Sequence, residues 1–461
     1  MTNPPQRNLA SVEPEHEGTP PAFDPAAPHH QRPRLRPVRA FPAQMGDQVY
    51  LGLADARQIS DRMIAAPMAV QPLLPLMDGQ RSVDEIVAEF GKGLTAQALQ
   101  GLVAQLDDAG LLFGPRFDAL FAKLKEQFDS TPVLPPAATA AFADALVVHK
   151  FGEGATEEQK SAEGPGLLRE SMDQWIAKAL EDSQGPVLES LPRAIIAPHI
   201  DYQRGWLNYA SVWGRVRGLS RPDRVVILGT NHFGLGTGVV ACDKGFQSPL
   251  GVSPVDMGLV AAIRKRLGPE PAARLFENRY DHEREHSIEL QIAWAQHCLG
   301  ADSAGNFCPV VGVLVHDPSV NNGESYDGAG LGIGAFVEAL RGALQDVGGR
   351  TLVVSSADLS HAGPMFGDPQ TLAGETQEAQ QARSRVMAHD NDMLNLIAQG
   401  KADELVAAMA WQQNPTRWCS TGNLVAAIKT VQPERVELIR YVASIDQQGM
   451  GMVTSVAGVM R

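Results

Sequence analysis

Residues 351–361 read TLVVSSADLSH: a short apolar run, then small polar residues, then a histidine. Two earlier stretches repeat that form. AIIA at 194–197 is followed by Pro198-His199, and VVILG at 225–229 is followed by Thr230-Asn231-His232. A short β-branched run bounded by turn formers predicts a strand covered on both faces, because such a strand has no polar side. His199, His232 and His361 then share one kind of position, just past the carboxyl end of a strand. In open α/β sheets that edge is where ligands bind. Strands hold such residues rigidly, so the three imidazoles can converge.

Working outward, strands are predicted at Ala194–Ala197, Arg224–Leu228, Cys308–Val315, Thr351–Ser355, Arg435–Val442 and Met452–Val459. Apolar residues at helical spacing predict helices at Ile288–Leu299, Ile333–Leu344 and Met393–Ala410. Strands alternating with helices make residues 191–461 an α/β domain built on a mixed sheet.

The chain has 461 residues, more than one average domain holds. Residues 1–40 carry nine of the 32 prolines and almost no large apolar side chain, and read as a disordered tail. Residues 41–130 read as a small domain. Ser82-Val-Asp-Glu85 is a capping box that starts a helix. A second helix begins near Thr95, with Leu99, Leu102, Val103 and Leu106 on one face, and Leu111-Leu112-Phe113 follows as a strand. Helix, turn, helix and a short strand is a winged-helix pattern. Residues 131–190 read as a linker with one helix over Leu167–Leu180.

The net charge is −14, and residues 41–130 hold 7 basic against 12 acidic side chains. Such a surface repels phosphate, which excludes nucleic-acid coating. No long uncharged apolar run and no apolar leader are present, so a cytoplasmic protein without membrane contact is expected.

Clustered histidines at strand ends suit a metal, because neutral imidazole is the commonest metal ligand. A second cluster, Asp281-His282-Glu283-Arg284-Glu285-His286-Ser287-Ile288-Glu289, precedes a helical run. His286 and Glu289 share a helix face there. This cluster reads equally as ligands and as an ordinary acidic first turn. Of four cysteines, Cys242, Cys298 and Cys308 sit in apolar surroundings and read as core. Cys419 lies in the polar loop Arg417-Trp-Cys-Ser-Thr-Gly-Asn423 ahead of a helix, where a thiol can serve as ligand or nucleophile.

PHIDYQRGW (198–206), ILGTNHFG (227–234), SPLG (248–251), EHSIELQ (285–291), SSADLSH (355–361) and the Cys419 loop occur in an order that resembles the Memo-like proteins, also called AmmeMemoRadiSam system protein B. That family is similar in fold to LigB-type class III extradiol dioxygenases, whose non-haem iron is held by two histidines and a carboxylate. The resemblance implies His199, His232 and Cys419 as metal ligands, and His361, Asp358, His286 and Glu285 as catalytic residues lining one cleft. It implies one transition-metal ion, iron or copper, with zinc as a further choice. A thiolate in place of a carboxylate softens the site toward copper or zinc. Asp201 adds a carboxylate as an extra ligand or a solvent-facing group. The implied activity is a redox metalloenzyme, dioxygenase-like, working beside a radical SAM enzyme and an AMMECR-type protein. The alternatives are a peptide-binding scaffold without chemistry and a cysteine hydrolase of Cys419, His361 and Asp358. The run DGQRSVDEI at 78–86 and the ending at Leu112 resemble PqqD-like domains, in which a peptide adds to a sheet edge.

Overall fold

A computed structural model describes residues 21–46, 48–91, 93–181 and 185–461. The chain divides into two compact units, 1–131 and 132–461.

In the first unit a helical turn, α1 (Pro28–Gln31), leads to the antiparallel strands β1 (Val38–Met45), β2 (Gln48–Asp55) and β3 (Met63–Pro67), with β2 central. Helices α2 (Val83–Phe90), α3 (Ala96–Asp108) and α4 (Pro115–Asp129) follow. The capping box starts α2 as read: the Ser82 side chain accepts from the Glu85 N–H, and the Glu85 carboxylate accepts from the Ser82 N–H. Leu99, Leu102, Val103 and Leu106 are buried as their spacing requires. Leu111–Phe113 forms no full strand; Leu112 makes a single antiparallel bridge with Leu35.

The disordered-tail reading fails for 21–40, while residues 1–20 lie outside the described ones. Phe23, Leu35 and Val38 pack against the core of this unit, and a buried polar anchor that an apolar count does not register adds to them. The Arg36 guanidinium, fully buried, pairs through Nη2 with both oxygens of Asp55 at 3.1 and 2.9 Å, and its Nη1 donates to the Gly110 carbonyl. Asp55 also accepts the backbone N–H groups of Arg57, Ile59 and Ser60.

The second unit opens with β4 (Val133–Leu134), α5 (Ala138–Phe151) and α6 (Glu157–Glu181). The linker expected at 131–190 is thus two helices of the domain itself, with Val147, Leu168, Met172 and Ala179 buried. The Ala- and Glu-rich composition that suggested a linker is that of long helices.

Then come β5 (Ala194–Ala197), α7 (Tyr202–Val216), β6 (Arg224–Thr230), β7 (Val240–Ala241), β8 (Gly245–Ser248), β9 (Gly251–Ser253), α8 (Met257–Leu267), α9 (Pro269–Glu277), α10 (His286–Leu299) and β10 (Val310–Val315). The chain ends with α11 (Ile333–Val347), β11 (Thr351–Ser356), β12 (Asp358–Ala362), α12 (Gln377–Ala398), α13 (Ala402–Gln412), α14 (Thr421–Val431), β13 (Val436–Ile445) and β14 (Met452–Met460). One eight-stranded sheet runs β12-β14-β5-β11-β6-β10-β7, with β13 on β14. β5, β11, β6 and β10 are parallel, and β7, β14, β12 and β13 join antiparallel. The mixed α/β architecture is as expected. The helix expected at Met393–Ala410 is two, broken where Gly400 takes φ 70° between α12 and α13.

β11 lies between β5 and β6, so the carboxyl ends of three neighbouring parallel strands meet at one edge. Parallel strands stand about 4.8 Å apart, which brings the residues after them within side-chain reach.

Asp55→Ala is expected to cost about 3–5 kcal/mol, because it leaves the Arg36 charge buried without its partner. Denaturant unfolding of the full chain measures it. A loss under about 1 kcal/mol in the transition of the N-terminal unit would contradict the role given to the pair.

Candidate metal centre

His199 follows β5 and is almost fully buried. Its Nδ1–H donates to the carbonyl of Ser356 at the end of β11, 2.9 Å away. That bond puts the proton on Nδ1 and leaves the Nε2 lone pair bare. Nε2 points at Cys419 Sγ, 3.3 Å away. His232 follows β6 and obeys the same rule with a different acceptor. Its Nδ1–H donates to Glu285 Oε1 at 3.0 Å, and Glu285 Oε2 accepts the His232 backbone N–H at 2.9 Å. The His232 ligand atom lies within 4.8 Å of Cys419 Sγ. Cys419 sits in the loop ahead of α14, half-buried, its carbonyl held by the Thr230 hydroxyl at 3.1 Å.

The ligand atoms of His199, His232 and Cys419 all lie within 4.8 Å of one another. Tetrahedral bonds of about 2.0 Å to nitrogen and 2.3 Å to sulfur would put ligand atoms about 3.5 Å apart. The two Nε2 atoms and one thiol therefore fit a single ion, with His232 giving up its Nε2 proton when the ion binds. The Nδ1–H anchors on a carboxylate and a backbone carbonyl are what metal-binding histidines use to fix tautomer and orientation.

The electrostatics agree. Burial, then the charges of His232 and His286, push the His199 pKa well below its ordinary value, so its lone pair is kept. At His232 burial opposes charge, but Glu285 and Cys419 outweigh it and raise the pKa well above the ordinary value. Ion entry must displace that proton. Burial would raise the Glu285 pKa, but His232, His286 and the Ser287 N–H hold it well below the carboxylate range.

The other expected site residues fall around this centre in different roles. The His286 ring stacks on that of His232, centroids 4.9 Å apart, and stands 5.6 Å from that of His199. It is the more open imidazole of the group. His361, on β12, turns its Nδ1 toward the carbonyls of Leu359 and Arg417, leaving Nε2 as a free base. Burial lowers its pKa to about 4. The Asp358 carboxyl accepts the His199 N–H at 3.0 Å, so it fixes the end of β5. Burial raises its pKa to about 7. Asp201 is neither a ligand nor idle: it caps α7 by accepting the Arg204 N–H and pairs with the Arg204 guanidinium. Glu289 is turned away from His286 to accept the N–H groups of Ala137, Ala138 and Thr139 at the start of α5. Asp281 accepts the N–H groups of Leu235 and Gly236, clamping the loop after His232. Cys242, Cys298 and Cys308 are buried core thiols.

Three residues escaped the sequence reading. Ser356 supplies the carbonyl that orients His199. Asn423 donates to that same carbonyl at 2.7 Å and to the Thr230 hydroxyl at 2.9 Å. Gln291 donates to the Pro198 carbonyl and the Ser356 hydroxyl. All three lie inside quoted stretches, but backbone acceptors carry no residue signature.

Among the described residues two further His/Asp/Glu groups have metal-like spacing. His232, Glu285 and His286 share His232 with the first site, and the Glu285 oxygens are taken by N–H donors. In the group His29, His30 and Asp107, His30 Nδ1 accepts the Asp24 N–H, so its proton faces Asp107 on Nε2 and no lone pair is left.

Buried imidazoles and a thiol around the strand ends of a mixed α/β sheet define a protein with a candidate mononuclear metal centre. The chain belongs to a known family: the Memo-like protein model matches residues 163–459. A MEMO1 family protein of Aquifex aeolicus is 25% identical over 385 residues, covering 82% of this chain and 86% of its own. One from Pyrobaculum aerophilum is 24% identical over 288 residues, 61% of this chain and 89% of its own. One from Methanopyrus kandleri is 26% identical, covering 62% of this chain and 83% of its own. No helix among the described residues is long and apolar enough to cross a membrane.

Glu285→Gln is expected to weaken metal binding about 10–100-fold by releasing the His232 tautomer, measured by competition with a chromophoric chelator. An unchanged affinity would contradict the anchor. A second expectation concerns acid. Burial lowers the His282 pKa from 6.5 to about 4. The unfolded chain therefore binds the extra proton first, and stability present above pH 6.5 is lost as pH falls toward 4. His282→Gln should remove about 3 kcal/mol of that loss. Equal acid sensitivity of the variant and parent unfolding curves would refute it.

Proposed function

We propose that this protein is a redox metalloenzyme whose single transition-metal ion is held by His199 Nε2, His232 Nε2 and Cys419 Sγ. What carries this reading is the pair of imidazoles anchored at Nδ1 that turn Nε2 toward one thiol. The donor set is softer than two histidines and a carboxylate, so copper is favoured over iron, with zinc as the redox-silent competitor. The bound ion would supply one-electron chemistry and a Lewis-acidic position for the substrate.

The chain's own groups do the rest. His361, neutral above pH 4 and with Nε2 free, takes a proton from a small or peptide substrate. His286 lines the open side and orients that substrate. Asp358 holds the end of β5 in register with the site, and Glu285 keeps His232 in its ligating tautomer. The LigB-like relation of the fold is supported by the parallel strand-end placement of the ligands. Company with a radical SAM enzyme and an AMMECR-type protein is supported by family membership alone.

A second reading concerns the N-terminal unit, taken as a PqqD-like peptide-docking module. Among the described residues β1 and β3 each pair only with β2, which leaves edges for an added strand. A cytoplasmic location goes with both readings.

The purified protein is expected to take one equivalent of Cu(I) in chelator competition. Cys419→Ala and His199→Ala should each lower the affinity at least about 100-fold, since each removes one of three ligands. Binding that neither variant alters would overturn the assignment.

A further inference from the structure

Asp390 lies in the middle of α12, and its side chain is wholly buried. Four neutral donors converge on it. Oδ1 accepts from the Ser360 hydroxyl and from Trp418 Nε1–H, the latter at 2.7 Å. Oδ2 accepts from the Tyr441 hydroxyl on β13 and the Thr454 hydroxyl on β14, both at 2.6 Å. The two oxygens reach different segments. Oδ2 ties α12 to β13 and β14, and the Thr454 hydroxyl also accepts the Ser360 N–H at 2.9 Å. Oδ1 grips Ser360 and Trp418, the residues immediately before His361 and Cys419.

No other described side chain bonds to the neighbours of both site residues. The two segments are also joined directly: the His361 N–H donates to the Thr416 carbonyl at 2.7 Å, and the Ser360 and Thr416 hydroxyls are 2.7 Å apart. Trp418 is buried against this cluster, so the Cys419 loop is anchored from beneath by an indole that can only donate. A buried indole N–H without an acceptor is costly, and so is a carboxylate without its donors. The indole N–H also lies 3.1 Å from the Ser360 hydroxyl, so Asp390, Ser360 and Trp418 form one closed cluster that favours the loop position bringing Sγ to His199.

We propose that Asp390 is a positioning residue of the metal centre: through Trp418 and Ser360 it sets where Cys419 and His361 stand relative to the two histidines. This rests on the metal-binding reading above. It predicts an asymmetry between the two oxygens. Removing the Tyr441 hydroxyl from Oδ2 disturbs the contact of α12 with β13, whereas removing the Oδ1 acceptor disturbs the site.

Co(II) is the probe, because a thiolate ligand gives it a charge-transfer absorption in the near ultraviolet. The full-length parent should bind Co(II) with that band, and Cys419→Ser should lose it. Asp390→Ala should keep the fold by circular dichroism, yet bind Co(II) about tenfold more weakly, with a diminished band. Asp390→Asn should recover to within about threefold of the parent. Its amide oxygen must face Trp418, which cannot accept, while its NH₂ donates to the two hydroxyls, which can. Trp418→Phe, which deletes the donor alone, should weaken binding as Asp390→Ala does and covers the case in which the alanine variant fails to fold. Tyr441→Phe, which removes an Oδ2 donor with no bond to Ser360 or Trp418, should lower the melting temperature and leave Co(II) affinity unchanged. A parent protein without the thiolate band overturns the metal reading and this inference together. A parent band with parent-like affinity in Asp390→Ala or Trp418→Phe overturns only the inference. So does equal weakening by Tyr441→Phe, which would make Asp390 a general packing residue.

Discussion

Two Nδ1–H bonds govern the candidate centre: His199 to the Ser356 carbonyl and His232 to the Glu285 carboxylate. An imidazole has one lone pair to offer when neutral, and its tautomer decides where that lone pair lies. Here both protons are drawn outward to buried acceptors, so both lone pairs face inward to Cys419. Reversing either bond would turn the site from a ligand set into an ordinary hydrogen-bonded cluster. The His29–His30–Asp107 group shows that outcome, since the Asp24 N–H occupies the one lone pair of His30.

The sheet supplies the acceptors as well as the ligands. β11 lies between β5 and β6, so its last carbonyl is available to the histidine of one neighbour while its own continuation carries Asp358 and His361. α10 begins beneath His232 with Glu285 as its cap, and that carboxylate serves helix and imidazole at once. The thiol comes last in sequence, from a loop pinned by Thr230 and by the buried Trp418.

Much of this was legible in the chain. The apolar runs at 194–197, 225–229 and 351–354 could only be covered strands, and their histidines could only gather at one edge. The register that sets β11 between the other two was not legible, because strand order is a property of non-local pairing. The cluster at 281–289 gave the right residues without their jobs: Asp281, Glu285 and Glu289 are all acidic in one short stretch, yet each serves a different backbone. Residues 21–40 were misread because few apolar side chains, Phe23, Leu35 and Val38, pack on the core, and the buried Arg36–Asp55 ion pair that joins them leaves no apolar signal. Residues 138–181 were misread because Ala-, Glu- and Gln-rich helices look like linkers when their buried face is small.

The central claim is that His199, His232 and Cys419 hold one transition-metal ion. Anomalous diffraction at the copper edge, from crystals of the protein loaded with one equivalent, tests it most directly. The account predicts a single strong peak about 2.0 Å from both Nε2 atoms and about 2.3 Å from Cys419 Sγ. A peak elsewhere, or none among these three side chains, would contradict it.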